Sequence, residues 1–119
     1  MISRRWCSAS SALPFRHRIT LLAAHGFEVI SFANVQGVTN IYDETPERAY
    51  TLARMVDRED AEAVFLSGTG MPTLPVLEML ETALGKPVIS SATAMMGRAL
   101  RLARVGQPLA GHGRLLTLS

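Results

Sequence analysis

Apolar positions come in short blocks, and their spacing switches between the period of a helix and that of a strand. Residues 15–25 carry Phe15, Ile19, Leu22 and Ala23 at close to helical spacing, and Gly26 supplies a stop. The run 27–33 (FEVISFA) is short and dominated by β-branched and aromatic residues, which predicts a strand. Residues 34–44 contain Gly37, Asn40 and Asp43 and read as a loop. Thr45-Pro46-Glu47 then has the chemistry of a helix start. The Thr45 hydroxyl accepts from a free backbone N–H, Pro46 suits the first turn, and Glu47 suits the positive end of the helix dipole. That helix is expected to run to about Arg58.

A second strand is predicted over residues 61–67 (AEAVFLS), whose apolar centre suits a strand covered on both faces. After a Gly/Pro loop at 68–73, a helix places Val76, Leu77, Leu80 and Leu84 on one side and Glu78, Glu81 and Thr82 on the other, and Gly85 ends it. Residues 86–90 (KPVIS) predict a third strand. Ser91 is the expected cap of a last helix to about Ala103, with Arg98 and Arg101 on its wet side. Arg114 to Leu118 could form a final strand.

Alternating helices and strands imply an α/β fold, a three-layer, doubly wound parallel sheet with right-handed crossovers. Such sheets open with a strand, yet here a helix comes first, behind a Ser- and Arg-rich segment of poor strand character. The expectation is therefore an incomplete sheet with its first strand missing. Residues 1–14 form a disordered basic leader and residues 15–119 a truncated α/β domain.

Composition narrows the class. Hydrophobic residues make up 48% of the 119 residues and charged residues 18%, enough for one core and too apolar for a disordered tail. Aromatics are 6%, so aliphatic residues must fill the core, with Met71, Met79, Met95 and Met96 expected as filler. A single cysteine, Cys7, allows no internal disulfide and suits a reducing compartment, so a cytoplasmic location is expected. His17, His25 and His112 lack ligand spacing, and no metal site is expected. The pI of about 9.2 suggests nucleic acid at first sight. Four of the twelve basic residues lie in 1–18 with no acid among them, so eight bases face ten acids in the rest. A mildly acidic folded part without aromatic readers does not fit a nucleic-acid module. The leader has the composition of an organellar transit peptide, or of a start unrelated to the domain that follows. No stretch has the ~20 apolar residues of a membrane helix.

In open parallel sheets ligands bind at the carboxyl ends of the strands, where helix N-termini present N–H groups. Two loops qualify. Ser67-Gly68-Thr69-Gly70, within SGTGMPT, combines glycines that let a backbone approach a ligand with hydroxyl residues ahead of a helix. A carboxylate, phosphate or oxyanion would suit this nest, and so would a tight turn whose hydroxyls only cap the helix. The loop lacks a Walker lysine and does not match the dinucleotide fingerprint. Ser90 and Ser91 offer a second hydrogen-bonding lip, or a helix cap and no more. His112 is a candidate acid/base in a glycine-flanked tail, and Tyr42 and Asp43 lie in a loop that could overhang the site.

The segments AHGFEVISF, TPERAYTLAR, DAEAVFLSGTGMPTLPVLEMLETALGKPVISS and GHGRLL resemble the second half of maleate cis-trans isomerases and arylmalonate decarboxylases, of the aspartate/glutamate racemase superfamily. The resemblance covers roughly four-fifths of the chain and is most specific over residues 63–91. It implies two similar α/β halves facing across a cleft, each giving one reactive residue, usually cysteine, with no metal or organic cofactor. Deprotonation beside a carboxylate needs a group on each face and donors for the developing enolate. The isomerases instead add a cysteine to the double bond. This sequence departs from that pattern. The second-half cysteine falls at Gly68, an Asn common after the serine pair is Ala92, a tryptophan of the next helix is Gly97, and the Thr-Pro-Tyr element after the first strand is absent.

The resemblance thus carries over no catalytic residue. It implies Ser67, Gly68, Thr69, Gly70 and Ser91 as binding residues for a small carboxylate substrate. The partner is then a missing N-terminal half or a homo-oligomer, with neither nucleic acid nor membrane involved. Cofactor-independent isomerisation, racemisation or decarboxylation is the implied chemistry, with this fragment inactive. The competing reading is a non-catalytic α/β anion-binding module. A sheet lacking its first strand would leave an unpaired edge and a wet apolar face, so self-association is expected.

Overall fold

The computed structural model describes residues 4–10, 16–34, 45–67 and 72–117. Strand and helix alternate through them: β1 (Arg4–Ser10), α1 (Arg16–Ala24), β2 (Phe27–Asn34), α2 (Pro46–Val56), β3 (Ala63–Ser67), α3 (Leu77–Leu84), β4 (Val88–Ser90) and α4 (Ser91–Leu102). A 3-10 turn at Leu74–Val76 leads into α3, and another at Arg114–Thr117 follows α4. The strands form one parallel sheet in the order β2-β1-β3-β4. The doubly wound α/β class inferred from the alternation is therefore the observed one.

The first strand, however, is present. Arg4–Ser10, expected to be leader without structure, is an inner strand paired on one side with Phe27–Asn34 and on the other with Ala63–Ser67. An inner parallel strand needs backbone partners on both edges and side chains small enough for helices to pack close. Cys7 and Ala9 meet that need on one face, both fully buried, while Trp6 sits on the other against Phe27 and Phe65 at 4.6 and 6.3 Å between ring centroids. Arg5 caps the entry end of the strand through Asp60 at 3.3 Å and Glu28 at 3.9 Å.

Cys7, Ala9, Val64, Leu66 and Val88 share one sheet face, which α2 and α3 cover with Ala49, Leu52, Ala53, Val56, Leu77 and Leu80. Each fully buried Leu or Val there contributes roughly 1.5–3 kcal/mol. The opposite face carries Trp6, Phe65 and Ile89 and meets α1 and α4 less closely, with Thr93 the buried residue of α4. The Thr45 cap is as expected: its Oγ1 accepts from the Arg48 N–H at 3.2 Å.

Several local expectations are corrected. Ser90, not Ser91, caps α4, in a reciprocal box where the Thr93 N–H donates to Ser90 Oγ at 3.2 Å and the Ser90 N–H donates to Thr93 Oγ1 at 3.0 Å. Glu81 is on the buried side of α3, 7% exposed. Its Oε2 accepts the Val88 N–H at 3.0 Å and its Oε1 the Arg114 N–H at 2.9 Å. The tail that returns to it turns at Gly113, whose φ of +93° excludes most side chains and whose added Cβ would lie 3.7 Å from the carboxylate. Arg114–Thr117 is accordingly 3-10 helix rather than strand, with Leu116 buried. Met79, Met95 and Met96 are exposed rather than core filler, and Met71 lies outside the described residues.

Candidate functional site

The strand order places the reversal of winding between β1 and β3. From β1 the chain steps to β2 on one side, then crosses back to β3 on the other. At such a switch point the loops leaving the two strands diverge and open a crevice at the carboxyl ends. Ser67 ends β3 there, in register with Ser10 at the end of β1, and is 4% exposed. One strand further, Leu66 is in register with Ser90, so Ser67 and Ser91 occupy adjacent exit points of the sheet. The structure thus brings Ser67 and Ser91 together at one end of the sheet. Gly68, Thr69 and Gly70 lie outside the described residues, as do Tyr42 and Asp43.

Besides α1, which follows β1, the helices that begin at this end are α2 behind Thr45, the 3-10 turn and α3 behind Thr73, and α4 behind Ser90. Their N-terminal dipoles favour an anion. Thr73 stands out. It is 2% exposed, makes no side-chain capping bond, and its hydroxyl has no partner among the described residues. A buried hydroxyl left unpaired costs about 1–3 kcal/mol, a cost that an oxygen of a bound ligand would remove. The sequence offered a trace of it, as the last hydroxyl residue of SGTGMPT. The part played by the end of β1 was hidden because that strand was not recognised.

The charged pairs gather at the other end. Lys86 Nζ lies 2.8 Å from Asp57 Oδ1 and donates to the Arg58 carbonyl at 2.8 Å, and Arg58 lies 3.8 Å from Asp60. His112 is also remote from Ser67. It is exposed in the tail held by Glu81, next to the start of β4. Cys7 lies within the core, where burial pushes its thiol up from its ordinary value and leaves it a poor nucleophile. Among the described residues no three His, Cys, Asp or Glu side chains gather as a metal site, and no helix is long and apolar enough to cross a membrane.

A parallel sheet with a switch point between β1 and β3, serines on the strand exits and helix N-termini at the same end define a doubly wound α/β unit. Residues 14–116 match the arylmalonate decarboxylase family, and the chain belongs to that family. It is 28% identical over 102 residues to a maleate isomerase of Geobacillus stearothermophilus, covering 83% of this chain and 41% of the relative. With a maleate isomerase of Nocardia farcinica it shares 32% over 101 residues, 82% of this chain and 40% of the relative. The chain thus spans about two-fifths of the curated relatives it matches. The solved structure of a Nocardia farcinica maleate cis-trans isomerase, a Cys-to-Ser variant with a covalently bound succinylcysteine intermediate, superposes with a TM-score of 0.84 at 28% identity. That match covers 96% of this chain and 49% of the isomerase.

Proposed function

We propose that this chain is the carboxylate-holding half of a cofactor-independent isomerase, racemase or decarboxylase site. The observation that carries the reading is the placement of Ser67 at the switch point with Ser91 on the neighbouring strand exit. The backbone N–H groups of Gly68, Thr69 and Gly70 would hold one carboxylate of a small dicarboxylate, with the hydroxyls of Ser67, Ser91 and Thr73 in support. Helix N-termini offset the negative charge at no reorganisation cost.

The chain alone performs no turnover. Position 68, where the resemblance implies a cysteine, is glycine, which can neither attack a double bond nor carry a proton. Racemisation needs an acid/base group on each face of the carbon, and the second face belongs to a facing half. Covalent addition of a cysteine to the double bond likewise needs a thiol, which Gly68 lacks.

The test is titration of the isotopically labelled chain with maleate and with phenylmalonate, followed by amide shifts and product analysis. Saturable shifts confined to residues 67–73 and 90–93, at about millimolar dissociation constants and without product, are expected. Absence of shifts at about 10 mM would refute the binding role. Conversion of maleate to fumarate by the unmodified chain would refute its inactivity.

A further inference from the structure

On the sheet face opposite the main core, α1 and α4 stand apart and leave a groove of about 340 Å³. Its floor is Trp6, Phe65 and Ile89 from three adjacent strands, with Phe27 tilted against Trp6 at 4.6 Å between ring centroids. Among the described side chains, few from these helices enter it. From α1 it receives Leu22, while Leu21 points to solvent at 60% exposure, and α4 lines it with Ala94 and Gly97, the latter with no side chain at all. Arg98 and Arg101, one helical turn apart, stand on the same lining. Among the described residues neither guanidinium has a carboxylate within ion-pair distance.

We propose that this groove binds an amphipathic monocarboxylate, such as a medium-chain fatty acid, with its apolar tail on Trp6 and Phe65 and its carboxylate on Arg98 and Arg101. A guanidinium matches a carboxylate with two parallel N–H donors, and two such groups beside an aromatic floor complement an acid with an apolar body. The volume falls at the lower end of the ~300–1,000 Å³ of small-molecule sites, and the walls on both sides favour one molecule over a lipid surface. The aromatic floor of the groove is set back from the proposed dicarboxylate site, which its Ile89 and Ala94 lining approaches. Trp6 precedes the carboxyl end of β1 by four residues, roughly 13 Å along the strand.

Trp6 is the single tryptophan, so its emission reports the groove floor directly. The experiment compares titrations of the whole chain with decanoate and with decanol. Decanoate is expected to change Trp6 emission saturably and to bind at least about fivefold more tightly than decanol. Replacing both arginines (Arg98→Gln with Arg101→Gln) should erase that preference while leaving decanol within about twofold. Gly97→Leu should weaken both ligands about tenfold or more by filling the space. A Cβ at Gly97 meets Leu116 and Leu115 carbons at 3.8 and 3.9 Å, ordinary contact, so the added side chain starts without a clash, and far-UV circular dichroism checks that the variant keeps its fold.

No saturable response to decanoate below about 1 mM overturns the proposal, and so does equal affinity for decanoate and decanol. Two further results also overturn it by assigning another occupant. One is Trp6 emission that tracks protein concentration without ligand, which means a second copy covers the groove. The other is binding to anionic vesicles with no response to free decanoate, which means a membrane surface.

Discussion

Replacing Glu81 tests how the end of the chain is tied to the sheet. Its carboxylate accepts the buried Val88 N–H at 3.0 Å and the Arg114 N–H at 2.9 Å, so one side chain holds both the start of β4 and the returning tail. Glu81→Ala strands both donors. The Val88 amide, in a residue 1% exposed, loses the full ~1–3 kcal/mol of an unpaired buried group. The Arg114 amide is part-buried and recovers some of its loss from water, which brings the total to about 2–4 kcal/mol. For a chain of this size that lowers Tm by about 10 °C. Glu81→Gln keeps one acceptor oxygen and turns an N–H₂ toward the other donor, for a loss of about half as much. The assay is urea and thermal unfolding, with hydrogen exchange at Val88 and Arg114 and the exposed Glu78→Ala as a control expected within about 0.5 kcal/mol. A Glu81→Ala loss below about 1 kcal/mol, or unchanged exchange at Val88, would refute this account of the carboxylate.

Thr73→Val removes the unpaired hydroxyl, so the chain should gain about 1 kcal/mol in urea while dicarboxylate binding weakens severalfold; a loss of stability would show that the hydroxyl is paired. Gly68→Cys should gain the mass of one maleate on incubation with maleate, whereas the unmodified chain, whose single thiol is buried, should not. Labelling of both, or of neither, counts against loop 67–70 as the dicarboxylate site. Cys7 is raised by burial, so it stays protonated in the folded state at pH values where the unfolded chain has released its proton. Stability is therefore complete below the ordinary thiol pKa of about 8.5 and falls as pH rises from there through the raised folded value. The slope approaches at most about 1.4 kcal/mol per pH unit, and Cys7→Ala should abolish it in unfolding curves taken across pH.

The helices and the strands β2, β3 and β4 were legible in the residues because their determinants are local. Thr45-Pro46-Glu47 marks α2 by hydroxyl, ring and charge, and the AVFLS run of β3 is apolar enough to stand out. β1 was not legible for a physical reason. Its small residues Cys7, Ser8 and Ala9 carry little strand propensity, and its stability comes from the two neighbours that bond to it. Glu81 was placed on the wrong face of α3 because a helical wheel cannot anticipate two amides arriving from Val88 and Arg114. The same limit applies to the candidate site. Ser67 and Ser91 followed from glycine and hydroxyl chemistry at a helix start, whereas the switch point between β1 and β3 needed the strand order.

The inner position of β1 also dictates an order of assembly during synthesis. β1 is made before either of the strands it pairs with, and the second of those, Ala63–Ser67, emerges some fifty residues later. Until then a nascent β2-β1 pair exposes a row of open amides and carbonyls on β1, the template on which chains join edge to edge. Arg5, near the head of that row, keeps its charge half-exposed beside Glu28 of β2 and gains its shorter contact, to Asp60, only when β3 approaches. It acts as a gatekeeper against premature pairing with another nascent chain.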